Sequence, residues 1–349
     1  MNQKKSWIVF LSTFPPRECG IGTFTADLAK AIDELLSPQV ETRVIAMNEE
    51  EIAHFRYASK VLFYIQQTKL ADYKFIAQKL NDIPQVRLVS IQHEFGIFGG
   101  EYGMHLLHFL TLLKKPAVVT FHTVPSNPSP LLLEVVQKIA AQVNGMVVMT
   151  KRSREILEQT YGIEGKKIEI IPHGIHPLPY TVSTQSKSAL GFANRTIIST
   201  FGFLSRGKGI EYVLDALPAV IKKDRNALYL IIGKTHPGVL SKEGEAYRNF
   251  LVGKVRELNL DNQVRFYNRF LPLRELLQFL QATDVYLATS LDPDHAVSGT
   301  LSYALGTGRP VISTAFAQAK EYITDEVGML VDFKNADVYA ECLLRLIAD

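Results

Sequence analysis

Short apolar runs alternate along this chain with segments whose apolar residues recur at helical spacing. In the first half, the runs at 7–12, 87–92, 117–121, 146–149 and 168–171 read as strands. Between them, residues 26–36 place Leu28, Ala31, Ile32 and Leu35 on one helical face, and 103–114 and 130–144 follow the same period. The second half repeats the plan. Strands are expected at 196–201, 228–232, 264–267, 285–289, 311–313 and 329–331, with helices near 209–223, 243–259, 273–282, 299–307 and 335–347. Strands that alternate with helices imply parallel sheets covered on both faces. The fold class is therefore α/β, with two doubly wound domains.

The alternation breaks once, at Pro177-Leu178-Pro179-Tyr180 and the polar residues that follow. This break divides the chain into a first domain at 1–176, a linker at 177–195 and a second domain at 196–349. Ligands of such sheets gather at the carboxyl ends of the strands.

Composition narrows the function. The 349 residues carry a net charge of only +3, which argues against nucleic acid as a partner. Two cysteines, Cys19 and Cys342, lie near opposite ends, so a disulfide framework is not expected and a reducing cytoplasm fits. The apolar run at 7–11 is too short for a signal peptide or a membrane span.

Three loops carry candidate chemistry. The first follows the 196–201 strand and reads Gly202-Phe203-Leu204-Ser205-Arg206-Gly207-Lys208-Gly209. A small basic loop that feeds a helix N-terminus suits an anion, with Arg206 and Lys208 as fixed charge. Taken alone, it serves equally as a solvated basic turn. The second follows the first strand, where Gly20 and Gly22 allow a tight turn near a ligand; Thr25 breaks the dinucleotide fingerprint. The third runs from Asp292 to Val311. Ser298, Gly299 and Thr300 there would open a helix and present N–H groups as a second anion nest. In the first half, Gln92-His93-Glu94-Phe95-Gly96 mixes polar and aromatic groups that suit a carbohydrate, which assigns His93 and Glu94 to a carbohydrate ligand, with a buried, paired structural carboxylate as the alternative for Glu94.

In their order along the chain, these segments resemble the group 1, family 4 glycosyltransferases of GT-B fold. The resemblance rests on Gly20–Gly22, on Thr120-Phe121-His122, on Ile171-Pro172-His173-Gly174-Ile175, on Lys208-Gly209 and on Gly308-Arg309-Pro310-Val311, and it spans nearly the whole chain. It implies two Rossmann-like domains facing a deep cleft. It also implies retaining transfer of a hexosyl group from a UDP- or GDP-linked sugar, with no cofactor and no metal. The nucleotide is expected on the second domain and the acceptor, a carbohydrate or a lipid-linked sugar, on the first. The family lysine falls on Lys208. The family arginine position holds Phe203, so Arg206 is expected to supply its charge. The two family glutamates fall on Asp294 and Ser302, which is expected to bind the ribose more weakly than a carboxylate. His122 is expected beside the donor sugar, and Arg269 and Phe270 near the base. His122, Lys208, Arg206 and Asp294 are the catalytic candidates. The pattern Asp292-Pro293-Asp294 also matches a metal-binding D-x-D, a reading set aside because the surrounding order is that of GT-B.

Other readings stay open: a glycoside phosphorylase, a sugar-nucleotide epimerase, or a sugar-binding protein that lost turnover with Ser302. Lys69, Lys74, Lys79, Lys114 and Lys115 could form a basic face for peripheral membrane contact at the inner surface, or an ordinary solvated face. The sequence ends at Asp349 in a helical pattern, before the last crossing helix of many GT-B proteins. A shortened chain or a different closure would both explain that.

Overall fold

The computed structural model describes residues 5–49 and 55–348. The chain forms two compact units, Met1–His173 and Gly174–Asp349. The first unit has strands β1 (Ser6–Ser12), β2 (Val40–Asn48), β3 (Val61–Gln66), β4 (Val86–His93), β5 (Ala117–Phe121), β6 (Gly145–Val148) and β7 (Ile168–Ile170). They pair in the order β3-β2-β1-β4-β5-β6-β7, all parallel. Helices α1 (Gly20–Leu36), α2 (Leu70–Asn81), α3 (His105–Leu112), α4 (Pro130–Gln142) and α5 (Lys151–Gln159) connect them.

β1 shows why the runs are continuous. Val9 and Leu11 enter the main core with β4 and β5, while Phe10 enters a smaller core with Phe14, Ala29, Val44 and Ala46. A strand buried on both faces has no polar side to alternate with. Helix starts follow local chemistry. The Ser129 hydroxyl accepts from Leu132 N–H at 3.2 Å, and Pro130 opens α4 where its missing N–H costs nothing.

The second unit holds β8 (Thr196–Phe201), β9 (Ala227–Ile232), β10 (Val264–Tyr267), β11 (Val285–Ala288), β12 (Val311–Thr314) and β13 (Gly328–Val331). Their order is β10-β9-β8-β11-β12-β13, again parallel. Helices α6 (Ser183–Ala189), α7 (Ile210–Lys223), α8 (Pro237–Glu243), α9 (Ala246–Glu257), α10 (Leu273–Ala282), α11 (Gly299–Gly306), α12 (Ala317–Tyr322) and α13 (Ala336–Ala348) cover the sheet. Counted from its own first strand, this sheet runs 3-2-1-4-5-6, the order of doubly wound nucleotide-binding sheets. In each unit the order reverses between the first and fourth strands. Chain segments leave in opposite directions there, and a crevice opens at the strand ends.

Two expectations change. Segment 177–195 is not a free linker but belongs to the second unit. It contains α6, whose Lys187 pairs with Asp284 at 2.5 Å and whose Ser183 hydroxyl donates to Asp284 at 2.8 Å. Gly20 and Gly22 do not form a turn, because both lie in the first turn of α1. A Cβ on Gly22 would stand 3.3 Å from the Phe14 nitrogen, so the small residue lets the helix start lie against the strand end. β2, β3, α2, α5, α6, α8 and α12 are additions to the elements expected from the sequence.

Candidate functional site

In the second unit, the loops after β8 and β11 meet at the switch point. The Arg206–Lys208 segment is one tight 3-10 turn, and Gly209 follows at φ 58° before α7. A Cβ on Gly209 would lie 3.1 Å from the Thr289 carbonyl and closer still to Leu291, so this left-handed position needs glycine. Leu291 N–H donates to the Gly207 carbonyl at 2.8 Å and ties the two loops together. They enclose a small cavity lined by Thr200, Lys208, Tyr286, His295, Ser298 and Thr300.

Lys208 is the cation of this cavity. Burial pushes its ammonium below the usual lysine range. Among the described residues no carboxylate pairs with it. A half-buried, unpaired ammonium is costly in itself and is relieved by an anion. At the opposite wall, α11 begins. Ser298 caps it, its hydroxyl accepting from Leu301 N–H at 3.2 Å and lying 2.9 Å from the Thr300 hydroxyl. The amides of Gly299 and Thr300 make no hydrogen bond among the described residues, as expected at the positive end of a helix.

Other nominated residues sit elsewhere. Arg206 does not join Lys208 in the lining. It is exposed, and its guanidinium lies 5.8 Å from the ring centres of Tyr247 and Phe250 on α9. The Ser298 amide does not point free into the nest, because it donates to Gln318 Oε1. Gln318 is fully buried, and its Nε2 donates to the Ser302 hydroxyl at 3.2 Å. Ser302 in turn donates to the Ser298 carbonyl at 3.2 Å, so its polar capacity is used inside the protein. Asp294 is half-buried in a turn where its amide donates to Asp292 Oδ1 at 3.0 Å. Arg269 is held by Glu275 through both guanidinium nitrogens, Nη1 at 2.8 Å. Phe270 stacks on Phe203 with ring centres 5.7 Å apart. The position of the family arginine thus carries an aromatic surface.

His295, within the Asp292–Val311 segment, is not among the site residues expected from the sequence. It lines the same cavity as Lys208, and its ring meets Phe316 edge-on at 5.4 Å. Burial, and then the Lys208 charge, hold its imidazole down at about 4. Its importance depends on β11 lying beside β8, a juxtaposition that local pattern does not encode.

In the first unit, His122 Nε2 lies 3.0 Å from Gln92 Oε1, and Phe24 packs edge-on against its ring at 5.0 Å. Burial, helped by His173 and His93, lowers it to about 3, so the ring is neutral at ordinary pH. His93 is enclosed rather than open to a ligand. It is fully buried among Phe95, Phe98 and Phe121, and neither ring nitrogen has a partner. Burial pushes it to about 3. Its neighbour Glu94 accepts from Phe95 N–H at 3.0 Å and from the Thr123 hydroxyl at 2.6 Å, and burial raises its carboxyl. Of the five lysines of the suggested basic face, Lys69 pairs with Asp72 and Lys115 donates to the Ile83 carbonyl. Lys74 and Lys79 are exposed on α2, with Phe75 between them and the Lys79 ammonium 5.3 Å from its ring centre. No helix among the described residues is long and apolar enough to cross a membrane.

Comparison with known proteins agrees with this geometry. The profile described as "Glycosyltransferase Family 4" matches residues 19–177, and the one described as "Glycosyl transferases group 1" matches 195–349. The chain is 24% identical over 253 residues to a D-inositol 3-phosphate glycosyltransferase of Nocardia farcinica, covering 70% of this chain and 53% of that protein. It is 23% identical over 243 residues to a phosphatidyl-myo-inositol mannosyltransferase of Mycobacterium leprae, covering 68% and 59%. The chain therefore spans little more than half the length of these curated relatives. Among solved structures, Anabaena Alr3699/HepE in complex with UDP and glucose superposes with a TM-score of 0.75 at 17% identity, covering 99% of this chain and 90% of that one. A sucrose-phosphate synthase of Thermosynechococcus elongatus gives 0.76 at 17% identity, with the same coverage. Both are likenesses of fold.

Proposed function

Because the chain belongs to the group 1, family 4 glycosyltransferases, we propose that it moves a hexosyl group from a nucleotide sugar to a carbohydrate or glycolipid acceptor, with retention of configuration. The observation that carries this reading is the unpaired Lys208 ammonium in a cavity facing the start of α11. That arrangement suits the diphosphate of the donor. Relatives of this fold bound to UDP, and to UDP with glucose, support a UDP-linked sugar over a GDP-linked one.

The chemistry follows from the charge that develops. The bond between the anomeric carbon and the diphosphate oxygen breaks, and its electron pair stays on that oxygen. Lys208 and the amides of Gly299 and Thr300 stabilise the new charge without reorganising, which is often the largest catalytic term. The acceptor hydroxyl attacks the oxocarbenium-like carbon from the face the leaving group vacates. Its proton passes to the departing phosphate, so no protein nucleophile is needed. Recognition of the acceptor falls to the first unit, where Glu94 and Thr123 offer hydrogen-bonding groups after β4 and β5. Lys74, Phe75 and Lys79 would let the protein rest on an anionic membrane when the acceptor is lipid-linked.

The test is incubation with UDP- and GDP-sugars, with and without extracts containing acceptors. Release of nucleoside diphosphate that depends on acceptor, and a product of unchanged anomeric configuration by NMR, are the expected results. Failure of the folded protein to bind any nucleotide tested would sink the reading.

A further inference from the structure

The cavity at the switch point holds two basic side chains, and only one of them is accounted for by binding a diphosphate. Lys208 and His295 reach it from different loops. Neither ring nitrogen of His295 has a hydrogen-bond partner among the described residues, and only its backbone is engaged: its N–H donates to the Asp292 carbonyl, and its carbonyl accepts from Gln318 N–H. A half-buried imidazole with two free nitrogens beside an anion nest is placed to gain a charge when the nest fills.

We propose that His295 is a conditional second cation of the cavity, taking up one proton from solvent as a diphosphate enters and thereby making nucleotide affinity depend on pH. This rests on reading the cavity as a diphosphate site. In the empty cavity, burial and Lys208 keep the ring neutral at pH 6–8, since they hold it at about 4. A bound diphosphate reverses the local field. The Lys208 charge is then offset, and the anion favours imidazolium. The protein thus avoids holding two like charges together when no ligand is present, yet presents both when one arrives.

The surrounding groups do not compete for this role. Asp292 is exposed on the same loop and its Oδ1 accepts from the half-buried Asp294's N–H. From the start of α12, Phe316 and Gln318 meet His295, and neither is charged. Tyr286, on β11, is pushed up to about 12 by burial and stays neutral. Lys208 also bears on His236, but that ring lies outside the cavity lining, and its Nδ1 accepts from Gly238 N–H at 3.1 Å to cap α8. Protonating that nitrogen would break the cap.

Titration calorimetry of UDP and of GDP into the full chain, at pH 5.5 and 6.5 in buffers of different ionisation enthalpy, tests the proposal. Comparing wild type with His295→Gln cancels the titration of the nucleotide and of Lys208. Wild type is expected to take up more protons than His295→Gln. Its affinity should fall with rising pH more steeply than that of the variant, by up to about tenfold per unit. Equal proton counts in two folded proteins that both bind would overturn the role of His295 and leave nucleotide binding standing. No binding by folded wild type would overturn both. If the variant does not fold, histidine ring NMR of wild type at pH 6 decides. One imidazole moving to its charged shift on adding UDP supports the proposal, and no such movement refutes it.

Discussion

Gln318 joins two places that the sequence suggested were open to a ligand: its Oε1 takes the Ser298 amide and its Nε2 donates to the Ser302 hydroxyl at 3.2 Å. The side chain is fully buried, so these bonds are not exchanged for water. Gln318→Leu leaves the Ser298 amide and the serine hydroxyl short of a partner, which costs about 1–3 kcal/mol. Denaturant unfolding followed by far-UV circular dichroism should show that loss. Ser302→Ala, which removes the bonds to Gln318 Nε2 and to the Ser298 carbonyl, should cost about 1–3 kcal/mol and change UDP affinity little. A large loss of affinity in a folded Ser302→Ala would mean that the hydroxyl meets the nucleotide after all.

Lys208→Met keeps the volume and removes the charge. Stabilisation of a leaving group by one such donor is worth roughly 2.7–4 kcal/mol, so turnover should fall about 10²–10³-fold. Stability should stay level or rise, because an unpaired ammonium no longer has to be desolvated. Nucleoside diphosphate release and thermal unfolding, measured on the same preparation, check both halves. Loss of stability in step with activity would instead make Lys208 a structural turn residue.

Arg206 lies over two aromatic rings outside the cavity. Arg206→Ala should therefore lower stability by about 0.5–1 kcal/mol, the scale of an exposed cation–π contact. Nucleotide affinity should change less than threefold, roughly the factor of a half-kcal/mol effect. A tenfold loss of UDP affinity would show that the guanidinium swings to the ligand.

The buried imidazoles set an acid limit. His93 and His122 are neutral in the folded protein down to about 3, whereas an unfolded histidine titrates near 6.5. The unfolded state therefore binds more protons between these values. The stability that these rings contribute is full above pH 6.5 and is lost as pH falls toward 3, by up to about 1.4 kcal/mol per pH unit for each ring. His93→Phe keeps an aromatic ring in the cage and removes one titrating group. Denaturant midpoints at pH 5, 6 and 7 should vary less steeply in this variant. An unchanged slope would mean that His93 is not the group being protonated.

The sequence conveyed the sheets best where strands are buried on both faces, because their apolar runs are unbroken. β8, β10 and α10 fall where the pattern places them. β2 begins with Glu41 and Arg43, which pair with each other at 2.8 Å, and β3 is an edge strand with Tyr64 exposed; neither reads as a buried run. α6 is rich in serine and threonine, and it is held by contacts to distant Asp284 rather than by its own propensity. The site follows the same division. Lys208 stands out because glycines flank it and a helix follows. The diversion of Arg206 to α9, the occupation of Ser298 and Ser302 by Gln318, and the place of His295 all depend on partners far along the chain.

Asp284 has a practical consequence for anyone dividing this protein. Its carboxylate accepts from Ile197 N–H at 2.7 Å as well as from Ser183 and Lys187. A fragment cut at the apparent seam, starting at Thr196, would strip two of the three donors from that acid and uncover the surface of α10. The natural scissor point for expressing the second half alone lies upstream, near Gly174.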